Sequence, residues 1–151
     1  MTPPKKSSVK PRAAARLAAV QALYQHEMEA TRVATLLDEF HRHRLGAEIE
    51  DMQLAEAETA FFDDVVQGTI ARRDEIDEAI AAKLAEGWKI ERLDRTMLQI
   101  LRAGTYELIA RADVPTGTAI SEYLDVAHAF FDAREAKFVN GVLDAVARDV
   151  R

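Results

Sequence analysis

LDRTMLQILRAGTYEL, residues 93–108, is the stretch on which the fold turns. Leu93, Met97, Ile100, Leu101, Gly104 and Leu108 recur at intervals of three and four, which aligns them on one face of a helix with 3.6 residues per turn. It is the strongest apolar stripe in the chain. Gly104 in mid-helix costs about 1 kcal/mol against alanine, a cost that close packing of a neighbouring helix would justify.

Working outward, Asp113-Val114-Pro115 stops this helix, because proline disfavours helical geometry in the residue before it and has no amide donor. Thr118 is expected to start another helix, with Ile120, Leu124, Ala127 and Phe131 inward. Asp132 and Glu135 have the spacing of a capping box ahead of a last helix, which buries Val139, Val142, Leu143, Val146 and Val150. Upstream, Phe62, Val65, Val66, Thr69, Ile70, Ile76, Ile80 and Leu84 form a long periodic run, and its charged centre predicts a break between Arg72 and Asp74. Gly87 ends that run, with Trp88 and Ile90 packing across the connection.

Near the start, Ala13, Leu17, Val20, Tyr24 and Met28 form another helical stripe. Thr31 is placed to cap a second helix carrying Val33, Leu36, Leu37 and Phe40, and Gly46 with the acids after it reads as a loop. No stretch alternates with period two for the length of a strand, so the fold class is all-α. The expected core comprises Leu17, Val20, Leu36, Phe40, Val65, Ile76, Ile80, Met97, Ile100, Leu101, Leu108, Ile120, Leu124, Val139, Leu143 and Val146.

At 151 residues the chain is the size of one domain, able to bury roughly two thirds of its unfolded surface. It has no cysteine, which excludes disulfides and thiolate chemistry and fits a reducing cytoplasm. No apolar run approaches the roughly 20 residues of a membrane span, so a cytosolic protein without a membrane partner is expected. Residues 1–11 hold three prolines, two serines and three lysines and read as a flexible basic tail ahead of a single domain over 12–151. The net charge of −6 is unevenly spread. Lys5, Lys6, Lys10, Arg12 and Arg16 all precede the first acid, Glu27, so the remaining fifteen cations face 26 acids. A basic arm on an acidic body either has its own anionic partner or solubilises the chain.

Catalytic patterns are absent. His41 and His43 are two apart and point in different directions on a helix, whereas helical metal sites use i,i+4 spacing; neither a metal nor another cofactor is expected. There is no Gly-rich phosphate loop, nucleophile elbow or cysteine pair, so the chain does not read as an enzyme. The two ends carry more information. With Leu17 at the centre of the first stripe, Arg12 and Arg16 lie together on one flank, Gln21 on the other, and Tyr24 within it. On the last helix, Phe138 falls at the edge of the buried stripe and Lys137 faces solvent. Phe138 is either a margin of the core or a stacking surface. Beside cations and the amide of Asn140 the second reading gains weight: lysine and arginine meet phosphates, a base stacks on the ring, and the amide reads a base edge, as single-stranded RNA requires.

AARLAAVQALYQHE near the start, LDRTMLQILRAGTYEL in the middle, DVPTGTAISEYLDVAHAF after it and KFVNGVLDAV near the end together resemble the NusB family of transcription antitermination factors. The likeness runs in the same order from about Arg12 to Val146. It implies about seven helices in two small bundles, and binding to the boxA element of ribosomal RNA leader transcripts in partnership with NusE, a ribosomal small-subunit protein. It further implies indirect association with elongating RNA polymerase, suppression of premature termination, and, for some members, a homodimer in the free state. The family's arginine-rich start falls on Arg12 and Arg16, with Lys10 just upstream, and its KFVN motif on Lys137, Phe138, Val139 and Asn140. Arg102 is a further RNA candidate, and the partner surface falls loosely between Ile76 and Leu108. Where many members carry more arginines, this chain has Ala13, Ala14 and Ala15. Either this arm holds RNA more weakly or Lys5 and Lys6 compensate.

Two other readings compete. A NusB-like domain also forms the N-terminal part of certain ribosomal RNA cytosine methyltransferases, but this chain is expected to lack room for a cofactor-binding domain and has no cysteine to attack a pyrimidine. A helical interaction adaptor without RNA binding rests only on the three alanines.

Overall fold

A computed structural model describes residues 11–43 and 52–151, with side chains for 11–42 and 58–151. Most of the tail over 1–11, with Lys10, and the acidic loop after Gly46 lie outside the described residues. Among the described residues there are seven α-helices and no strand: α1 (Pro11–Glu29), α2 (Val33–His43), α3 (Met52–Ala71), α4 (Arg73–Ala81), α5 (Arg95–Ala110), α6 (Thr116–Phe130) and α7 (Ala133–Val150). A single 3-10 turn, Ile90–Arg92, precedes α5. No described helix is long and apolar enough to cross a membrane.

The α5 stripe organises everything else. Every residue from Met97 to Leu108 is buried, because α5 packs against α1, α3, α4, α6 and α7. One side faces the bundle of α1, α2 and α3, the other the bundle of α4, α6 and α7. Because α5 is enclosed on all sides, its polar residues Gln99, Arg102, Thr105 and Glu107 lie inside with the apolar ones. Asp94 caps α5 by accepting from the backbone amides of Thr96 and Met97. Gly104 lies where a side chain would press on the Leu143 methyl carbons at 3.0 and 3.1 Å, so the close approach expected there is real. At the other end of α5, the guanidinium of Arg151 donates to the carbonyls of Glu107, Leu108, Arg111 and Val114. Arg151 thus ties the end of α7 to the last turn of α5 and to the segment that follows it.

The break between α3 and α4 falls at Arg72, within the expected interval. Several local expectations are corrected. The apolar buried face of α1 is Ala15, Ala18, Ala19, Val20, Ala22 and Leu23: Val20 is interior as expected, but Leu17 is half-buried, and Tyr24 and Met28 are exposed. The reason is that α1 is packed by α3 and α5 on two sides, and alanines let both approach. Ile120 and Leu124 likewise stand at the margin, with Tyr123 and Ala119 inward. Trp88 is 54% exposed instead of packed across its connection. α6 starts at Thr116 rather than Thr118, Thr31 accepts from the Gln25 amide while α2 begins at Val33, and Asp132 stands at the start of α7 without a side-chain capping bond.

Candidate nucleic-acid interface

The expected RNA residues divide into an exterior set and an interior set. Arg16, expected on the flank of α1, is in the interior. Its Nε donates to Glu107 Oε2 at 2.9 Å and its Nη2 to Oε1 at 3.0 Å, while Glu122 Oε1 lies 3.2 Å from Nη1. The Tyr123 hydroxyl also donates to Glu107. Burial works to lower the Arg16 pKa, but bonding to Glu107 and the surrounding carboxylates more than offset it, so the guanidinium is held charged. Tyr123 is pushed well above the usual tyrosine range by burial first and the Glu107 charge second. Four functional groups thus answer one another inside the protein, and the accessible flank position expected for Arg16 is corrected: it is buried, with its donors occupied by carboxylates.

Arg102, the further RNA candidate, is also buried with its donors occupied. Its Nε and Nη2 each donate to Asp77 at 2.8 Å, and its Nη1 donates to Glu27, which also accepts from Arg95 Nη1 at 2.9 Å and Gln99 Nε2 at 3.0 Å. Burial pushes the Glu27 pKa up, yet these donors more than reverse it and leave it lowered. This cluster joins α1, α4 and α5, so Arg102 is a tie between the two bundles.

The exterior set is Arg12, Lys137 and Asn140, all exposed, with Gln21 half-exposed on α1 and Phe138 half-buried and packed against the core. Arg12 and Gln21 lie on α1, and Lys137, Phe138 and Asn140 on α7. Arg12 stands at the start of α1 beside Asp113, just beyond α5, the end to which Arg151 is tied. Lys137 lies near the opposite end of α7, about 20 Å along that helix from Arg151 at about 1.5 Å per residue.

Sequence reasoning missed Phe61 and Arg111. The guanidinium carbons of Arg12, Arg16 and Arg111 lie 4.4, 4.9 and 4.9 Å from the centroid of the buried Phe61 ring. Cations over an aromatic face are attracted by its quadrupole, so this ring collects three charges from α1 and the turn after α5. The only sequence signal was Arg111 two residues before Asp113 in the DVP turn. Elsewhere, His41 Nε2 pairs with Asp63 at 2.6 Å, and no group of three metal-ligating side chains occurs among the described residues.

The chain matches the NusB family over residues 13–148. A relative described as transcription antitermination protein NusB from Novosphingobium aromaticivorans is 72% identical over 95% of this chain and 97% of its own length. NusB of T. maritima superposes with a TM-score of 0.76 at 30% identity, covering 93% of this chain and 92% of that one. A structure of the antitermination factors NusB and NusE in complex with dsRNA aligns with a TM-score of 0.76 at 26% identity, over 92% of this chain and 97% of that chain. Matched along nearly its whole length in sequence and in helical architecture, the chain belongs to the NusB family, which comprises transcription antitermination proteins and not enzymes.

Proposed function

We propose that this protein is a cytoplasmic RNA-binding antitermination factor. It binds the boxA element of ribosomal RNA leader transcripts together with NusE, and the complex joins elongating RNA polymerase and suppresses premature termination. The observation that carries this reading is the likeness, over nine-tenths of both chains, to a NusB captured with NusE and dsRNA.

In this reading Arg12 and Lys137 meet phosphates, with Lys10 extending the contact from the tail. Asn140 and Gln21 offer amides, and the accessible part of Phe138 takes a base. The partner surface lies between Ile76 and Leu108. An open groove there exposes Trp88 among Asp74, Glu78 and Glu91, which suits a cationic protein of the kind that binds ribosomal RNA.

The test is a titration with a boxA-like RNA, with and without NusE. NusE should tighten RNA binding and RNA should tighten the protein pair by the same factor, since coupling between two sites is reciprocal. Arg12→Ala and Lys137→Ala should each weaken single-stranded RNA and reduce the salt slope by about 0.7. Phe138→Ala should weaken RNA by about 1–3 kcal/mol with the slope nearly unchanged. If melting falls while affinity of the folded fraction does not, Phe138 is only a margin of the core. A wild-type protein that binds no RNA with or without NusE would overturn the reading.

A further inference from the structure

The Phe61 platform holds two cations that the protein itself neutralises in an unusual way. Arg12 and Arg111 both lie over this ring, and both reach the same atom, Asp113 Oδ2, at 3.7 and 3.1 Å respectively. Asp113 also accepts from Arg111 Nε through Oδ1 at 3.1 Å, so its carboxylate forms a fork with Arg111 and a looser link to Arg12. Arg111 is fixed from its other side by Asp64, 3.1 Å from Nη1, and Asp64 is itself held by the Tyr106 hydroxyl at 2.8 Å. Arg16, the third cation at the ring, has Glu107 and Glu122 as its own counterions.

Asp113 differs from those carboxylates in its exposure. Its side chain is 55% accessible, against 0% for Glu107, and it sits on the short turn between α5 and α6. Its pKa is lowered by the Arg111 fork first and by Arg12 last, so it is ionised wherever the protein is folded near neutrality. An anionic oxygen shared by two guanidiniums on a rigid aromatic floor is the arrangement a phosphate oxygen takes between two arginines. The chain supplies the anion from within.

We infer that Arg12 and Arg111 form a phosphate site for single-stranded RNA, and that Asp113 occupies it in the free protein as an internal competitor which the RNA backbone displaces. This rests on the RNA-binding reading above and adds Arg111 as a contact and Asp113 as its regulator. Asp64 and the Phe61 ring keep Arg111 in position when Asp113 leaves. The site selects for a charged backbone over a neutral one, and contributes to affinity without reading sequence. Displacing an exposed ion pair carries a modest penalty, so Asp113 tunes affinity rather than blocking it.

The experiment uses the full chain, a single-stranded boxA-like oligoribonucleotide, and the variants Asp113→Asn, Arg111→Gln and their combination, each melted before titration. Asparagine keeps the shape and an acceptor for Arg111 while removing the charge. Asp113→Asn is expected to tighten RNA binding about two- to fivefold, the range set by an exposed ion pair. Arg111→Gln is expected to weaken binding, and the combination to lose the gain of Asp113→Asn. Folded Asp113→Asn protein that binds RNA no better than wild type overturns the inference, as does Arg111→Gln with unchanged affinity. Should Asp113→Asn melt below the assay temperature, Arg111→Gln alone decides. If wild type and Lys137→Ala behave as an RNA-binding protein should while these variants do not, only the Asp113 site falls. If wild type binds no RNA, both readings fall together.

Discussion

Arg16 and Glu107, 91 positions apart in the chain, meet as a two-pronged ion pair at 2.9 and 3.0 Å with almost no solvent access to either side chain. The pair joins α1 to α5, and Tyr123 and Glu122 bring in α6. Removing one partner of a buried pair strands the other charge, which typically costs about 3–5 kcal/mol. Arg16→Ala should therefore lower unfolding free energy by that amount in urea titrations. Its RNA affinity, normalised to the folded fraction, should stay near wild type. A stable Arg16→Ala protein with lost RNA binding would restore Arg16 to the RNA face.

Gly68 and Gly141 should respond to alanine with opposite signs. A side chain at Gly68 would lie 2.2 Å from the Tyr106 ring, whose hydroxyl is tied to Asp64, so the ring cannot move away cheaply. Gly68→Ala should destabilise by about 1–3 kcal/mol, as overpacking does. Gly141 is helical with open space around it, and Gly141→Ala should stabilise by up to about 1 kcal/mol through helix propensity. Thermal melts of the two variants suffice to compare them.

Ala30 has a φ of 56° where α1 ends, the left-handed conformation that glycine adopts without steric penalty. Ala30→Gly should raise stability by about 0.5–1 kcal/mol, after glycine's greater freedom in the unfolded chain is subtracted. An unchanged or lower midpoint in denaturant would show that the turn tolerates alanine without strain.

Glu58 is buried, and one of its carboxylate oxygens has no hydrogen-bond partner among the described residues. Burial pushes its pKa above the ordinary glutamate value. The folded state then holds the proton more tightly than the unfolded state, so stability falls as pH rises from the unfolded pKa to the folded one. Glu58→Gln should match wild type at pH below the unfolded value and exceed it near neutrality, by on the order of 1 kcal/mol. Equal pH-stability curves for the two proteins would refute the assignment. Glu27 acts in the other direction: its lowered pKa contributes stability above the unfolded value that is lost as pH falls through the folded one.

Helical periodicity, Pro115 and the charged interruption at Arg72 carry enough local information to read an all-helical chain, most of its boundaries, and the close approach at Gly104. These features depend on residues three or four apart, and an isolated segment contains them all. The order of four short motifs carried the family, and the match over residues 13–148 spans all four. Which face of α1 turns inward was a different matter. Leu17, Tyr24 and Met28 make the more apolar stripe, yet alanines and Arg16 are buried, because α3 and α5 approach from two sides and α5 brings Glu107 to meet the guanidinium. Only the tertiary structure could decide this. The partner carboxylates of Arg16 and Arg102 lie up to 91 residues away, and a charge is interior or exterior according to whether such a partner arrives. The same holds for Arg12 and Arg111, ordinary surface cations in sequence, which share one ring and one carboxylate only after the start of α1 packs beside the turn that follows α5.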